Sequence, residues 1–112
     1  MRLRGTADFA RVYDARQRVG DEFLLVYAAA NQLGRTRVGL SVSRKHGSAV
    51  RRAKLKRLLR EAFRLSRHEL PAGLDLVLIP RQGAKAGLVE FQQSLVRSAR
   101  RLAKRLGLEA AP

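Results

Sequence analysis

Between Arg44 and Arg67 the chain carries ten Lys or Arg and a single acid, Glu61. The same stretch repeats apolar residues with helical period, at Leu55, Leu58, Leu59, Ala62 and Phe63. At about 100° per residue, Leu55, Leu58, Leu59 and Ala62 gather on one side, and Lys56, Arg57, Arg60, Arg64 and Arg67 on the opposite side. This segment is expected to be a helix held to a core by one face, its other face a basic ridge that internal ion pairing cannot satisfy. Ser48 is placed to cap it, and Pro71 and Gly73 stop it after about His68.

The rest of the chain sharpens that picture. Its 112 residues suit one domain spanning 1–112, and 24 Lys and Arg against 9 Asp and Glu leave a net charge of +15. A body so charged calls for a polyanion, nucleic acid or an anionic membrane. Hydrophobic residues make up 46% of the sequence, which sets this chain apart from a disordered basic tail. A charged helix face is ordinarily just solvated, but the near absence of acids argues for an external partner. A membrane-surface helix would leave its apolar face free for lipid, whereas this one is needed by the core.

A first helix is expected from Thr6, a candidate cap, through Phe9, Val12 and Tyr13. Glu22 to Ala30 reads as a buried strand, followed by a turn around Gly34. A second strand runs from Thr36 to Ser43, with Val38, Leu40 and Val42 on one face and Arg37, Gly39, Ser41 and Ser43 on the other. Leu74 to Ile79 forms a third, ended by Pro80, and Leu88 to Leu106 a long last helix flanked by arginines. The order is α-β-β-α-β-α, with room for one more short strand. The fold class is α+β, a two-layer sandwich on a small, mainly antiparallel sheet.

Catalytic chemistry has little to stand on. No cysteine is present, and His46 and His68 lack companions at metal-binding or triad spacing, so they read as loop and helix-end residues. Gly83 to Gly87 is too short for a phosphate-cradling loop and reads as a flexible connection. The charged N-terminus lacks a signal-peptide core, so a cytoplasmic location is expected. The longest apolar run, Phe23 to Ala30, falls short of the roughly 20 residues that span a bilayer.

The run from Arg37 to Arg64, RVGLSVSRKHGSAVRRAKLKRLLREAFR, resembles the signature of the bacterial ribonuclease P protein component. Asp8-Phe9 with Arg11-Val12-Tyr13, Phe23 to Tyr27, and Asp75 to Arg81 resemble that family's pattern in the same order. The resemblance implies a left-handed β-α-β crossover and a protein that promotes removal of the 5′ leader from precursor tRNA. It also implies catalysis by the partner RNA, with Mg²⁺ held mainly by that RNA and no catalytic side chain on the protein. The implied partners are ribonuclease P RNA and precursor tRNA, in a 1:1 complex with a monomeric protein.

Residue by residue, the resemblance places Arg52, Lys54, Lys56, Arg57, Arg60 and Arg64 against the catalytic RNA. Here Arg52-Ala53-Lys54 stands where the family has Arg-Asn-Arg, which removes an amide and a bidentate guanidinium. A cleft for the single-stranded leader would be lined by Phe9, Tyr13, Tyr27, Arg37, Ser41, Ser43 and Lys45. Aromatic rings stack on any base, and small residues let a strand approach the sheet. Phe9 could equally be core, whereas the Tyr13 hydroxyl needs water or a partner. A ribosomal or ribosome-assembly protein is the alternative reading. A nucleoid protein lacks a helix-turn-helix signature here, and a protein-only nuclease lacks an acidic metal cluster.

Overall fold

The computed structural model describes residues 2–3, 5–83 and 85–108. Helix α1 spans Gly5–Asp14, and three strands follow: β1 Gln17–Gly20, β2 Leu24–Ala30 and β3 Arg37–Leu40. A 3-10 turn at Arg44–His46 leads into α2, Ala49–Ser66, and another at Arg67–Glu69 follows it. Strand β4, Leu74–Pro80, and helix α3, Leu88–Arg105, complete the order. The sheet runs β1-β2-β4-β3, with β2 antiparallel to both β1 and β4. Strand β3 lies parallel to β4, Arg37 opposite Asp75 and Leu40 opposite Leu78. The α+β class and mainly antiparallel sheet are as expected, and β3–α2–β4 is the crossover whose hand the resemblance gives as left.

One face of the sheet is roofed by helices, α2 over β3 and α3 over β1 and β2. Between them lies the main core, where Leu24, Val26, Leu76 and Leu78 meet Leu59 of α2 and Phe91, Leu95 and Leu102 of α3. Burying each of these large side chains contributes about 1.5–3 kcal/mol, which is what fixes the helices to the sheet. The opposite face carries a smaller cluster of Leu3, Val12, Ala29 and Val77, with Phe9, Tyr13, Tyr27 and Ile79 half buried around it. Helix α1 covers one end of that face and leaves the rest open.

Four local features differ from the sequence-based expectations. The spare short strand exists as β1, four residues whose pairing from Gln17↔Ala28 to Gly20↔Leu25 supplies what its pattern could not announce. Strand β2 starts at Leu24 and not at Glu22, because Asp21 Oδ1 accepts from the Phe23 and Leu24 amides at 2.8 and 2.9 Å and holds a turn there. Strand β3 stops at Leu40 and not at Ser43. The Ser41 amide still reaches Leu78 O at 3.0 Å, but the Ser43 amide donates to His46 Nδ1 at 3.0 Å and turns the chain. Thr6 lies inside α1 and not at its cap. Ser48 does cap α2, its hydroxyl accepting from the Arg51 amide at 3.2 Å. In the Gly83–Gly87 connection, Ala84 lies outside the described residues, and the Gly87 amide donates to Glu90 Oε1 at 2.7 Å.

Candidate nucleic-acid interface

Helix α2 buries Leu59, Ala62, Phe63 and Ser66 and turns Arg57, Arg60, Arg64 and Arg67 to solvent. Among the described residues Lys54, Lys56, Arg57 and Arg60 have no acidic partner within ion-pair distance. Arg52 folds back, its Nε donating to Gly47 O at 3.3 Å. Arg64 is the exception to an unneutralised ridge. Its guanidinium is engaged by Glu61 one turn earlier, with Nε to Oε2 at 3.1 Å, so its guanidinium is raised and the Glu61 carboxyl lowered from their ordinary values. An open depression of about 520 Å³ includes Ala53 in its lining and is rimmed by Arg52, Lys56, Arg57 and Arg60, with Glu61 at one end held by Arg64. Four cations thus surround a gap where a phosphate or a base edge can approach the helix.

On the open sheet face, Tyr13 of α1 meets Tyr27 of β2 edge-on, ring centroids 4.9 Å apart at 79°. Arg18 of β1 donates from Nη1 to the Tyr27 hydroxyl at 3.2 Å, with its Cζ 6.0 Å from the ring centre. Phe9 lies over Gly39, where a Cβ would fall 2.6 Å from its Cζ, so glycine is what lets α1 sit this close to β3. Phe9 therefore serves the small cluster and the surface at once. It shares a depression of about 200 Å³ with Gly39, Leu40, Lys56 and Arg60, which joins the sheet face to the α2 ridge. Beyond α1, a trough of about 380 Å³ runs between Leu25, Ile79, Ser41, Ser43, Lys45 and Arg81. An apolar floor, two hydroxyls and two cations suit a single strand of nucleic acid, with bases inward and phosphates toward the rim.

Arg37, the remaining expected lining residue, is turned elsewhere. Its Nε and Nη2 grip Asp75 Oδ1 and Oδ2 at 2.8 and 2.7 Å, and Asp8 Oδ1 lies 3.7 Å from Nη2. Asp75 is fully buried, and it also receives Arg11 from α1 and the Asn31 amide at 2.8 Å. Burial pushes the Asp75 carboxyl upward, but the bonds from Arg37 and Asn31 and the charges of Arg37 and Arg11 outweigh it and hold it below the ordinary range. The network ties α1, β3 and β4 together beside the aromatic pair.

Asp21 anchors the far end in the same way. It accepts Ser94 Oγ at 2.6 Å and Arg97 Nη2 at 2.8 Å besides the two amides. Burial opposes ionisation, yet these four donors lower its pKa to about 2. His46 bridges strands, its Nε2 2.7 Å from Pro80 O and its Nδ1 accepting from Ser43, which holds Ser43 and Lys45 at the trough rim. Sequence reasoning missed Leu25, Ile79 and Arg81 as trough residues, and Arg18 as the partner of Tyr27. An Asp inside the apolar run Leu74–Pro80 was the one visible signal of the buried network.

Comparison with known proteins gives the family. The ribonuclease P family matches residues 1–107. The ribonuclease P protein component of Pelotomaculum thermopropionicum is 44% identical over 80 residues, covering 71% of each chain. That of Thermotoga petrophila is 42% identical over 92 residues, covering 82% of this chain and 76% of the relative. The solved ribonuclease P protein of Thermotoga maritima superposes with a TM-score of 0.78 at 32% identity, covering 87% of this chain and 93% of that one. That of Staphylococcus aureus gives 0.75 at 32% identity, covering 97% of both. With sequence and fold in agreement, the chain belongs to the bacterial ribonuclease P protein component family, part of the ribonucleoprotein endoribonuclease that processes the 5′ leader of tRNA.

Proposed function

We propose that the protein grips ribonuclease P RNA with the α2 ridge and receives the single-stranded 5′ leader of precursor tRNA in the trough beside α1. The observation that carries this reading is the row Lys56, Arg57 and Arg60, free of acidic partners at ion-pair distance among the described residues, whose Lys56 and Arg60 share a depression with Phe9. A rigid helix delivers these cations without a large ordering cost, and the adjoining aromatic and hydroxyl surface accepts unpaired bases without reading their identity. Arg52, Lys54 and Arg64 extend the ridge, and Tyr13, Tyr27, Ser41, Ser43 and Lys45 extend the trough. Arg37 acts behind them, holding α1 through Asp75.

Mg²⁺ chemistry belongs in this reading to the RNA of the complex. Among the described residues no group of three or more His, Cys, Asp or Glu is arranged to hold a metal ion, and Asp21 and Asp75 are already occupied by donors. The protein's part is to position the leader and to neutralise phosphate charge, so that the RNA works at lower Mg²⁺. We place it in the cytoplasm, as one copy per RNA. No described helix is long and apolar enough to cross a membrane.

Reconstitution tests the whole. Purified protein added to a bacterial ribonuclease P RNA at low Mg²⁺ restores leader cleavage, and no stimulation at any protein concentration overturns the reading. Tyr13→Ala weakens binding of precursor tRNA to the complex by about 1–3 kcal/mol, the worth of one stacked base, and leaves mature tRNA unchanged. Equal losses for the two would remove the leader from the trough.

A further inference from the structure

A second basic surface lies on α3. Arg97, Arg100, Arg101 and Lys104 fall on one stripe, opposite the buried Phe91, Leu95, Ala99 and Leu102. Arg97 is engaged by Asp21, but Arg100, Arg101 and Lys104 are exposed and have no acidic partner among the described residues. The sole acid within the helix is Glu90, at its first turn and bonded to the Gly87 amide. Cations in the last turn would serve the helix dipole, yet Arg100 and Arg101 sit about a turn earlier, where that effect has faded. Beside the stripe, a groove of about 660 Å³ opens between α3 and the turn after α2, with Leu70, Pro71 and Ala103 in its lining, Arg100, Arg101, Lys104 and His68 along it, and one acid, Glu69, on its α2 side beyond ion-pair distance of the three cations.

We propose that this surface is a second RNA-binding site, separate from the α2 ridge and from the trough, and that it takes the phosphate backbone of another segment of the partner RNA. Helices α2 and α3 pack side by side on one face of the sheet, α2 toward β3 and α3 over β1 and β2, so the ridge lies beside β3 while the α3 stripe points away from the sheet, and the two can hold different RNA segments. Charge complementarity selects the occupant. The stripe exposes guanidinium and ammonium groups; of the exposed large hydrophobic residues Leu33, Val50, Leu65 and Val89, Val89 alone is on α3, at its first turn, and beside the groove Leu70 is half-buried and Pro71 and Ala103 are buried. A protein partner would want an aromatic or aliphatic anchor there, and a lipid surface an apolar face. A polyphosphate backbone wants neither.

The test titrates the full chain against a bacterial ribonuclease P RNA over a range of salt, comparing Arg100→Ala/Arg101→Ala/Lys104→Ala with Arg57→Ala/Arg60→Ala. The α3 variant is expected to bind about tenfold or more weakly, with a salt slope shallower by about two to three, while retaining its thermal transition. Affinity within about twofold of the parent, with an unchanged slope, overturns the α3 site and leaves the ridge standing if the second variant is still impaired. Loss in neither variant sinks the ridge reading as well. The chain has no cysteine, so Gln93→Cys on α3 and Val50→Cys at the start of α2 can each carry a single tethered RNA-cleaving reagent. Cuts from position 93 at nucleotides not cut from position 50 support two sites. Absence of cuts from position 93, or cuts at the same nucleotides, counts against them.

Discussion

The cations around Asp75 and those along α2 belong to the same residue types and do opposite things. Arg37 and Arg11 converge on one buried carboxylate and lock α1 to the sheet. Lys56, Arg57 and Arg60 have no such carboxylate among the described residues and stay in solvent. In a chain with 24 basic and 9 acidic residues, the position of each acid decides which basic residues build the protein and which remain for a polyanion. Arg64 stands between the two groups, on the ridge but engaged by Glu61.

The contrast is broken most directly at Asp75. Asp75→Ala leaves Arg37 with only the more distant Asp8 and takes the shared carboxylate from Arg11 and Asn31, and it is expected to destabilise the fold by about 3–5 kcal/mol, read as a lower urea midpoint at constant slope. A loss below about 1 kcal/mol would make the buried network no more structural than the ridge.

Asp21→Asn comes next, at about 2 kcal/mol near neutral pH. Because folding lowers the Asp21 pKa from 3.8 to about 2, its ionised form contributes fully above the ordinary value, and that contribution disappears as pH falls through the folded one. Stabilities of parent and variant should therefore converge between about pH 4 and pH 2, and a constant gap across that window would refute the charge-based account.

On the ridge, Arg60→Ala is expected to lower RNA affinity by about 1 kcal/mol and flatten the salt slope by about one, with the melting transition unmoved. Arg64→Ala should change affinity less, by under about twofold, since Glu61 already occupies its guanidinium. Equal losses at the two positions would erase the difference between an engaged and a free cation on one helix.

Much of this was legible beforehand. Helix α2 followed from the spacing of its leucines and from Ser48, and α3 from an apolar stripe that recurs over five turns. The trough was legible only in part. Ser41, Ser43 and Lys45, named from the resemblance, do line one depression, but Leu25 and Ile79 looked like ordinary core residues of apolar strands, and only the limited cover of α1 leaves them at the surface. Arg37 was read as lining from the resemblance, while nothing local says that a carboxylate 38 residues away will claim it.

Periodicity speaks for residues three or four apart, since their side chains share a face whatever the rest of the chain does. So the sequence alone determined the helices, the longer strands, the basic excess and the family. Pairing across long separations answers to how the layers close. Arg11 with Asp75 spans 64 residues and Arg97 with Asp21 spans 76. Strand β1 needs β2 beside it, and Phe9 needs the bare backbone of Gly39. Only the tertiary structure decided which charges were neutralised inside and which stayed without an acidic partner at the surface, because a counter-charge acts over a few ångströms of space and not along the chain.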